Sequence, residues 1–256
     1  MNKLIAVVLL VAVCLGFAGC ETKEIQYSIS NDGTYYIAIG YEAVADIKWL
    51  SVPEEYNGLP IKAIGEKIGS NPNIVKNMTK ISLPEGLLCI DTMFYHSQYY
   101  KDESNWEKET VNGVICKALY IDNYLIYVEV ESDTRMEDPI PFTVKEGTKG
   151  IAHMAFESDY DFIVNIPSSV EFIGSSVGSD KSSIETNGEI ILYNHHRFRV
   201  VFDGTVARWE ELNKDLAERN KDTVKRLDDT DYDGSDIEGA YYLYIVNCTD
   251  GSLVYD

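Results

Sequence analysis

The chain has 256 residues, with 22 lysines and arginines against 42 aspartates and glutamates, for a formal charge of −20. Hydrophobic residues make up 45%, which excludes disorder by composition, and the length fits one elongated domain or two small ones. The charge excludes nucleic acid as a partner and a basic face on anionic lipid, and four histidines leave little for histidine-based metal or acid–base sites.

At the start, Lys3 supplies a basic residue and Leu4 to Leu15 an apolar run of twelve. That run is too short to span a bilayer comfortably. Phe17-Ala18-Gly19-Cys20 then places two small residues before a thiol. The pattern resembles the lipobox of bacterial lipoproteins, with Phe17 where Leu is usual. The resemblance implies that residues 1–19 are a signal peptide, that the chain is cut before Cys20, and that the Cys20 sulfur carries a diacylglyceryl group. The membrane then becomes a partner through lipid, and the location extracytoplasmic, at a bacterial cell surface. Each buried CH₂ of an acyl chain contributes about 0.8 kcal/mol, and two or more chains anchor stably. Cleavage leaves 237 residues with a charge of −21, because Lys3 is lost and no acid is. Cys89, Cys116 and Cys248 remain among apolar neighbours and are read as buried free thiols, with one disulfide plus a spare thiol as the alternative.

Residues 20–45 hold the anchor and a hairpin: Ile25, Tyr27 and Ile29 alternate, Asn31-Asp32-Gly33 turns, and Tyr35 and Ile37 resume the alternation. From 46 to 204 a degenerate repeat organises the chain. Ile81-Ser82-Leu83-Pro84, Phe142-Thr143-Val144-Lys145 and Val164-Asn165-Ile166-Pro167 each precede a closing isoleucine, seven residues after the last strand aliphatic, at Ile90, Ile151 and Ile173. Leu50-Ser51-Val52-Pro53 is a further copy whose closing Ile64 comes twelve residues after Val52, across the insertion Tyr56-Asn57-Gly58-Leu59-Pro60. Alternating aliphatics make a short strand with one inward face, and proline or a turn residue ends it. One such unit cannot bury its apolar edge, so the units are expected to stack. Residues 95–140 fit poorly and are read as an insertion, although Tyr120 to Val130 is strand-like.

These segments resemble the BspA-like leucine-rich repeats of bacterial surface proteins. The Tyr56–Pro60 insertion is similar to an opening repeat of that family, Gly204-Thr205 with Trp209 to its closing element, and Val246-Asn247-Cys248-Thr249-Asp250-Gly251 to its terminal strand. The resemblance implies a β-rich (α+β) chain: an irregular leucine-rich-repeat solenoid of short stacked strands with a C-terminal capping helix and a final strand. It also implies adhesion-type binding of other proteins.

In the last part, 205–256, Thr205 can cap a helix expected to run to Leu227, with Trp209, Leu212, Leu216, Val224 and Leu227 on one face. It is read as a cap over the end of the stack. The run from Asp229 to Glu238 alternates acids around Gly234, as in the first half of an EF-hand loop, but Ala240 stands where a bidentate glutamate belongs. The reading taken is a solvated acidic turn with no metal and no cofactor; calcium held by Asp229, Asp231, Asp233 and Glu238 is the alternative. His195 and His196 are adjacent, so in a strand they face opposite ways and share no metal. No nucleophile, zinc or phosphate-loop motif appears, so catalytic residues are expected to be none. The chain is read as a non-catalytic module for a protein or glycan ligand. A carboxylate-dependent extracellular hydrolase and a structural envelope component are the alternatives.

Overall fold

Alternating aliphatic and polar residues make strands, and strands dominate the molecule, which is β-rich. The structure, a computed structural model, describes residues 25–42, 47–132, 139–156, 160–174, 183–186, 189–192, 197–213, 224–231 and 243–255. Cys20, the signal segment, Leu216, His195 and His196 lie outside these residues.

The N-terminal hairpin pairs β1 (Ile25–Ile29) with β2 (Tyr36–Tyr41), Ile29 facing Tyr36 and Tyr27 facing Ala38. The first repeat copy contributes β3 (Trp49–Ser51). A tight hairpin follows, of β4 (Glu55–Tyr56) and β5 (Leu59–Ile64). Its turn residues Asn57 and Gly58 take φ of 49° and 80°, the two-residue geometry that suits strand twist. Two helical turns, α1 (Lys67–Ser70) and α2 (Pro72–Val75), lead to the second copy, β6 (Lys80–Ser82) and β7 (Cys89–Ile90).

A third turn, α3 (Gln98–Lys101), opens the 95–140 segment, which folds as an antiparallel meander of β8 (Trp106–Val111), β9 (Val114–Ile121) and β10 (Tyr124–Glu131). The third copy gives β11 (Ile140–Thr143) and β12 (Gly150–Ile151), and the fourth gives β13 (Phe162–Ile166) and β14 (Phe172–Ile173). A separate two-stranded hairpin joins β15 (Ser183–Thr186) and β16 (Glu189–Leu192). The chain closes with β17 (Arg197–Phe202), α4 (Val206–Leu212), β18 (Val224–Leu227), β19 (Leu243–Cys248) and β20 (Gly251–Tyr255).

Residues at equivalent places in the repeat are hydrogen-bonded neighbours. Leu50 faces Ile81 and Ser51 faces Ser82; Phe142 faces Val164 and Thr143 faces Asn165. The closing isoleucines pair likewise, Ile64 with Ile90 and Ile151 with Ile173, all through parallel strands. At the end of the fourth copy the backbones nearly touch: a Cβ on Gly174 would sit 2.3 Å from His153 N, so glycine alone fits.

Between the second and third copies stands the tip of the β9–β10 hairpin. Leu83 N–H donates to Asp122 Oδ2 at 2.8 Å, and Lys145 N–H to the Tyr120 hydroxyl at 3.1 Å. Tyr124 and Leu125 pair in parallel with Gly150 and Ile151. Lys149 N–H reaches Asn123 O at 2.7 Å, as Glu171 N–H reaches Lys149 O at 2.7 Å one unit later. The β9–β10 hairpin thus bridges the second and third copies. Its residues face two cores, Leu119, Ile121, Tyr124 and Ile126 the N-terminal one and Cys116, Ala118, Leu125 and Val128 the C-terminal one. Burial of both faces accounts for the nearly unbroken apolar sequence.

Lys117, on β9, is 5% exposed and lies over the Trp106 ring at 5.3 Å. Burial alone lowers an ammonium pKa, but hydrogen bonds from Lys117 to Glu131 and Glu129 (2.9 and 3.1 Å) and the charge of Glu103 outweigh it, and its pKa is raised. The ammonium is therefore a fixed charge that holds the outer edge of the meander together.

Three expectations need correction. The helix from Thr205 ends at Leu212: Asn213 leaves helical geometry and donates its N–H back to Trp209 O, and Val224–Leu227 is a strand. Val224 and Leu227 satisfy a helical spacing, but β20 needs a partner along its second edge, and β18 supplies it antiparallel. The terminal strand is likewise two strands, β19 turning at Thr249-Asp250 into β20. Cys89 is exposed while Cys116 and Cys248 are buried, and no disulfide joins any two of them. Cys89 and Ile90 are neighbours in one strand, so when Ile90 points in Cys89 points out.

The N-terminus of α4 is capped from two sides. The Thr205 hydroxyl accepts from Arg208 N at 3.2 Å, and Asp250 Oδ1 accepts from Val206 N at 2.7 Å. Thr205→Ala is expected to lower stability by about 1 kcal/mol, with Thr205→Ser near wild type, in urea unfolding. Equal stability of all three proteins would show the cap to be idle.

Candidate functional site

The strands β11, β13, β17 and β19 run parallel as neighbours, which sends their side chains to two faces in rows. One row, Phe142, Val164, Val200 and Val246, is buried in the core. The next residue along each strand, Thr143, Asn165, Val201 and Asn247, forms the opposite row. Asn165 Nδ2 donates to Thr143 Oγ1 at 3.3 Å. Asn247 is 2% exposed and its Oδ1 accepts from Ser252 Oγ at 2.6 Å, whereas Val201 is 39% exposed.

At the carboxyl ends of these strands the loops part around a cleft of about 490 Å³. Val144, Ile166 and Phe202 form its apolar floor, Thr143, Asn165 and Thr249 supply hydrogen-bonding groups, and Glu146 and Asp203 stand on its walls. Thr230 reaches it from the acidic segment after β18. Carboxyl ends of parallel strands are a common place for ligands in open α/β sheets, because the loops diverge there.

Protein-family models, curated proteins and solved structures compared with this chain give no match.

The expected site residues are placed as follows. Asp233 and Glu238 lie outside the described residues, as does Cys20. Asp231 pairs with Arg199 Nη2 at 3.3 Å. Asp229 Oδ1 accepts from Asp231 N at 2.9 Å, and the Asp229 carbonyl accepts from the Ser252 hydroxyl. Among the described residues no three His, Cys, Asp or Glu side chains are grouped to hold a metal ion. Also among them, no helix is long and apolar enough to cross a membrane.

Carboxyl chemistry needs a general acid with a raised pKa. Among the described residues the displaced carboxylates move the other way: Asp32, Asp102 and Glu103 are held low, foremost by hydrogen bonds with Ser30, Ser104 and Lys108, and all three lie away from the cleft.

Glu146, Asp203, Thr143 and Asn165 were not singled out by sequence reading. The signal that points to Thr143 and Asn165 is the polar position between the two aliphatics of each repeat, which must face outward; Glu146 and Asp203 follow the strands and carry no such signal.

Cys248 borders the cleft from the buried side. Burial, with the charges of Asp250 and Glu210, pushes its thiol up to about 12; burial with Glu109 pushes Cys116 up to about 11. A thiol whose folded pKa is raised leaves stability unchanged below the unfolded value, about 8.5, and lowers it as pH climbs through the folded value. Iodoacetamide at pH 8 should therefore label Cys89 and spare the other two in the folded mature chain carrying Cys20→Ser. The urea midpoint should decline from about pH 9 upward, in proportion to those raised values. Rapid native labelling of Cys248 would contradict its burial.

Proposed function

We propose that this chain is a lipid-anchored bacterial surface protein of the BspA-like leucine-rich-repeat kind, which binds a protein or glycan ligand without catalysing a reaction. The anchor reading rests on residues 1–19 and Cys20. The repeat reading draws support from the parallel pairing of equivalent repeat residues, which is what a stacked solenoid requires. The observation that carries the binding reading is the cleft itself: an apolar floor with hydrogen-bonding groups converging on it at the strand ends, the usual make-up of a recognition site.

The mature chain with Cys20→Ser, presented to arrays of surface glycans and peptides, is the test. Binding is expected, and Asn165→Trp, which fills the cleft from a half-buried position on the outward row, should weaken it at least tenfold. Absence of any ligand counts against the reading, and binding indifferent to Asn165→Trp removes the cleft from it. For the anchor, labelled palmitate should enter the wild type and be lost in Cys20→Ala; an unlabelled wild type refutes it.

A further inference from the structure

We propose that the cleft at the ends of β11, β13 and β17 takes a lysine or arginine side chain presented by a basic peptide segment of another protein. The inference rests on the binding reading above and names its ligand class.

The electrostatics come first. The charged residues lining the cleft are Glu146 and Asp203, both exposed. They follow strands two places apart in the sheet, a separation of roughly 10 Å at the strands themselves. Elsewhere on the surface carboxylates sit beside cations: Glu171 holds Lys149 at 2.6 Å and Glu211 holds Arg208 at 2.7 Å. Among the described residues Glu146 and Asp203 have no such partner. The cations near this face are already engaged, Arg199 by Asp231 and Lys145 by Glu107 at 2.6 Å. The cleft therefore keeps an uncompensated negative charge, on a chain of net charge −20. Such a field gathers cations and raises their association rate.

Shape and polarity narrow the class. A bare metal ion makes no use of an apolar floor, and a neutral sugar, whose hydroxyls can donate to carboxylates, leaves their charge uncompensated. Lysine and arginine combine an apolar stem with a cationic head. The stem suits the floor and the exposed Val201, the head suits a wall carboxylate, and the capacity left on Thr143, Asn165 and Thr249 beyond the Asn165–Thr143 and Thr249–Gly204 bonds suits a peptide backbone.

The test uses the isotope-labelled mature chain carrying Cys20→Ser, titrated with the capped tripeptide Gly-Arg-Gly and with its citrulline counterpart, which keeps the shape and removes the charge. Amide shifts are expected at 143–146, 165 and 201–203, with citrulline at least tenfold weaker. Raising the salt from about 20 to about 200 mM should weaken the arginine peptide several-fold. Glu146→Gln with Asp203→Asn should abolish the response; unchanged shifts at other amides verify that fold. Equal response to both peptides, shifts scattered over the acidic surface, or no shift would overturn the proposal. Should diacetylchitobiose move these amides where the arginine peptide does not, the ligand class fails and the binding reading stands. Should the arrays also return nothing, both fall.

Discussion

Tyr124→Phe is expected to destabilise the protein by about 2–4 kcal/mol, although it removes a single oxygen. Tyr124 is 2% exposed, and its hydroxyl donates to Pro84 O at 2.9 Å while accepting from Leu87 N at 3.2 Å. The substitution leaves a buried donor and a buried acceptor without partners, each costing about 1–3 kcal/mol. It also unties the hairpin from the second repeat copy, so the Leu87 amide should lose hydrogen-exchange protection. Tyr120→Phe is the control. Its hydroxyl accepts from the backbone N–H of the exposed Lys145, which water can reach once the oxygen is gone, and the cost should stay below about 1 kcal/mol. Urea unfolding of the two variants decides; equal losses would mean that the buried bonds contribute nothing beyond the exposed one.

Trp209→Ala should be costlier still, about 3–5 kcal/mol. Trp209 is fully buried, and its ring meets Phe202 edge-on at 5.4 Å between centroids. It ties α4 to the core row beneath the cleft. Since domains of this kind are stable by about 5–15 kcal/mol, the variant should lose about a fifth or more of its stability. Trp209→Phe, which keeps most of the apolar contact, should recover at least half. A loss under about 1 kcal/mol, by circular dichroism in urea, would show that α4 is not held by this side chain.

Much of this fold is legible in the sequence because its unit is short and repeats. Aligning Phe142 with Val164 and Ile151 with Ile173 on spacing alone names residues that are bonded neighbours. The insertion at Asn57-Gly58 declares its own turn. The meander is harder, since both faces are buried over most of β9 and the start of β10, where alternation is lost; the local signals are the turns, Asn112-Gly113 with φ of 51° and 85° and Asp122 with φ of 51°. The extent of the helix after Thr205 is undecidable locally, because Val224 and Leu227 fit a helix until β20 offers an unpaired edge. The cleft is hardest of all. Glu146, Asn165 and Asp203 come from three strands, and only lateral pairing brings them together.

The wall shared by the two cores has a consequence for modularity. Stacks of identical units can be shortened or lengthened, because each unit carries its own share of interior. Here the hairpin lends Leu119 and Ile121 to one interior and Cys116 and Leu125 to the other. Cutting the chain on either side of residues 106–131 exposes an apolar sheet face on at least one fragment. Neither half can therefore be excised without baring the interior that this hairpin closes.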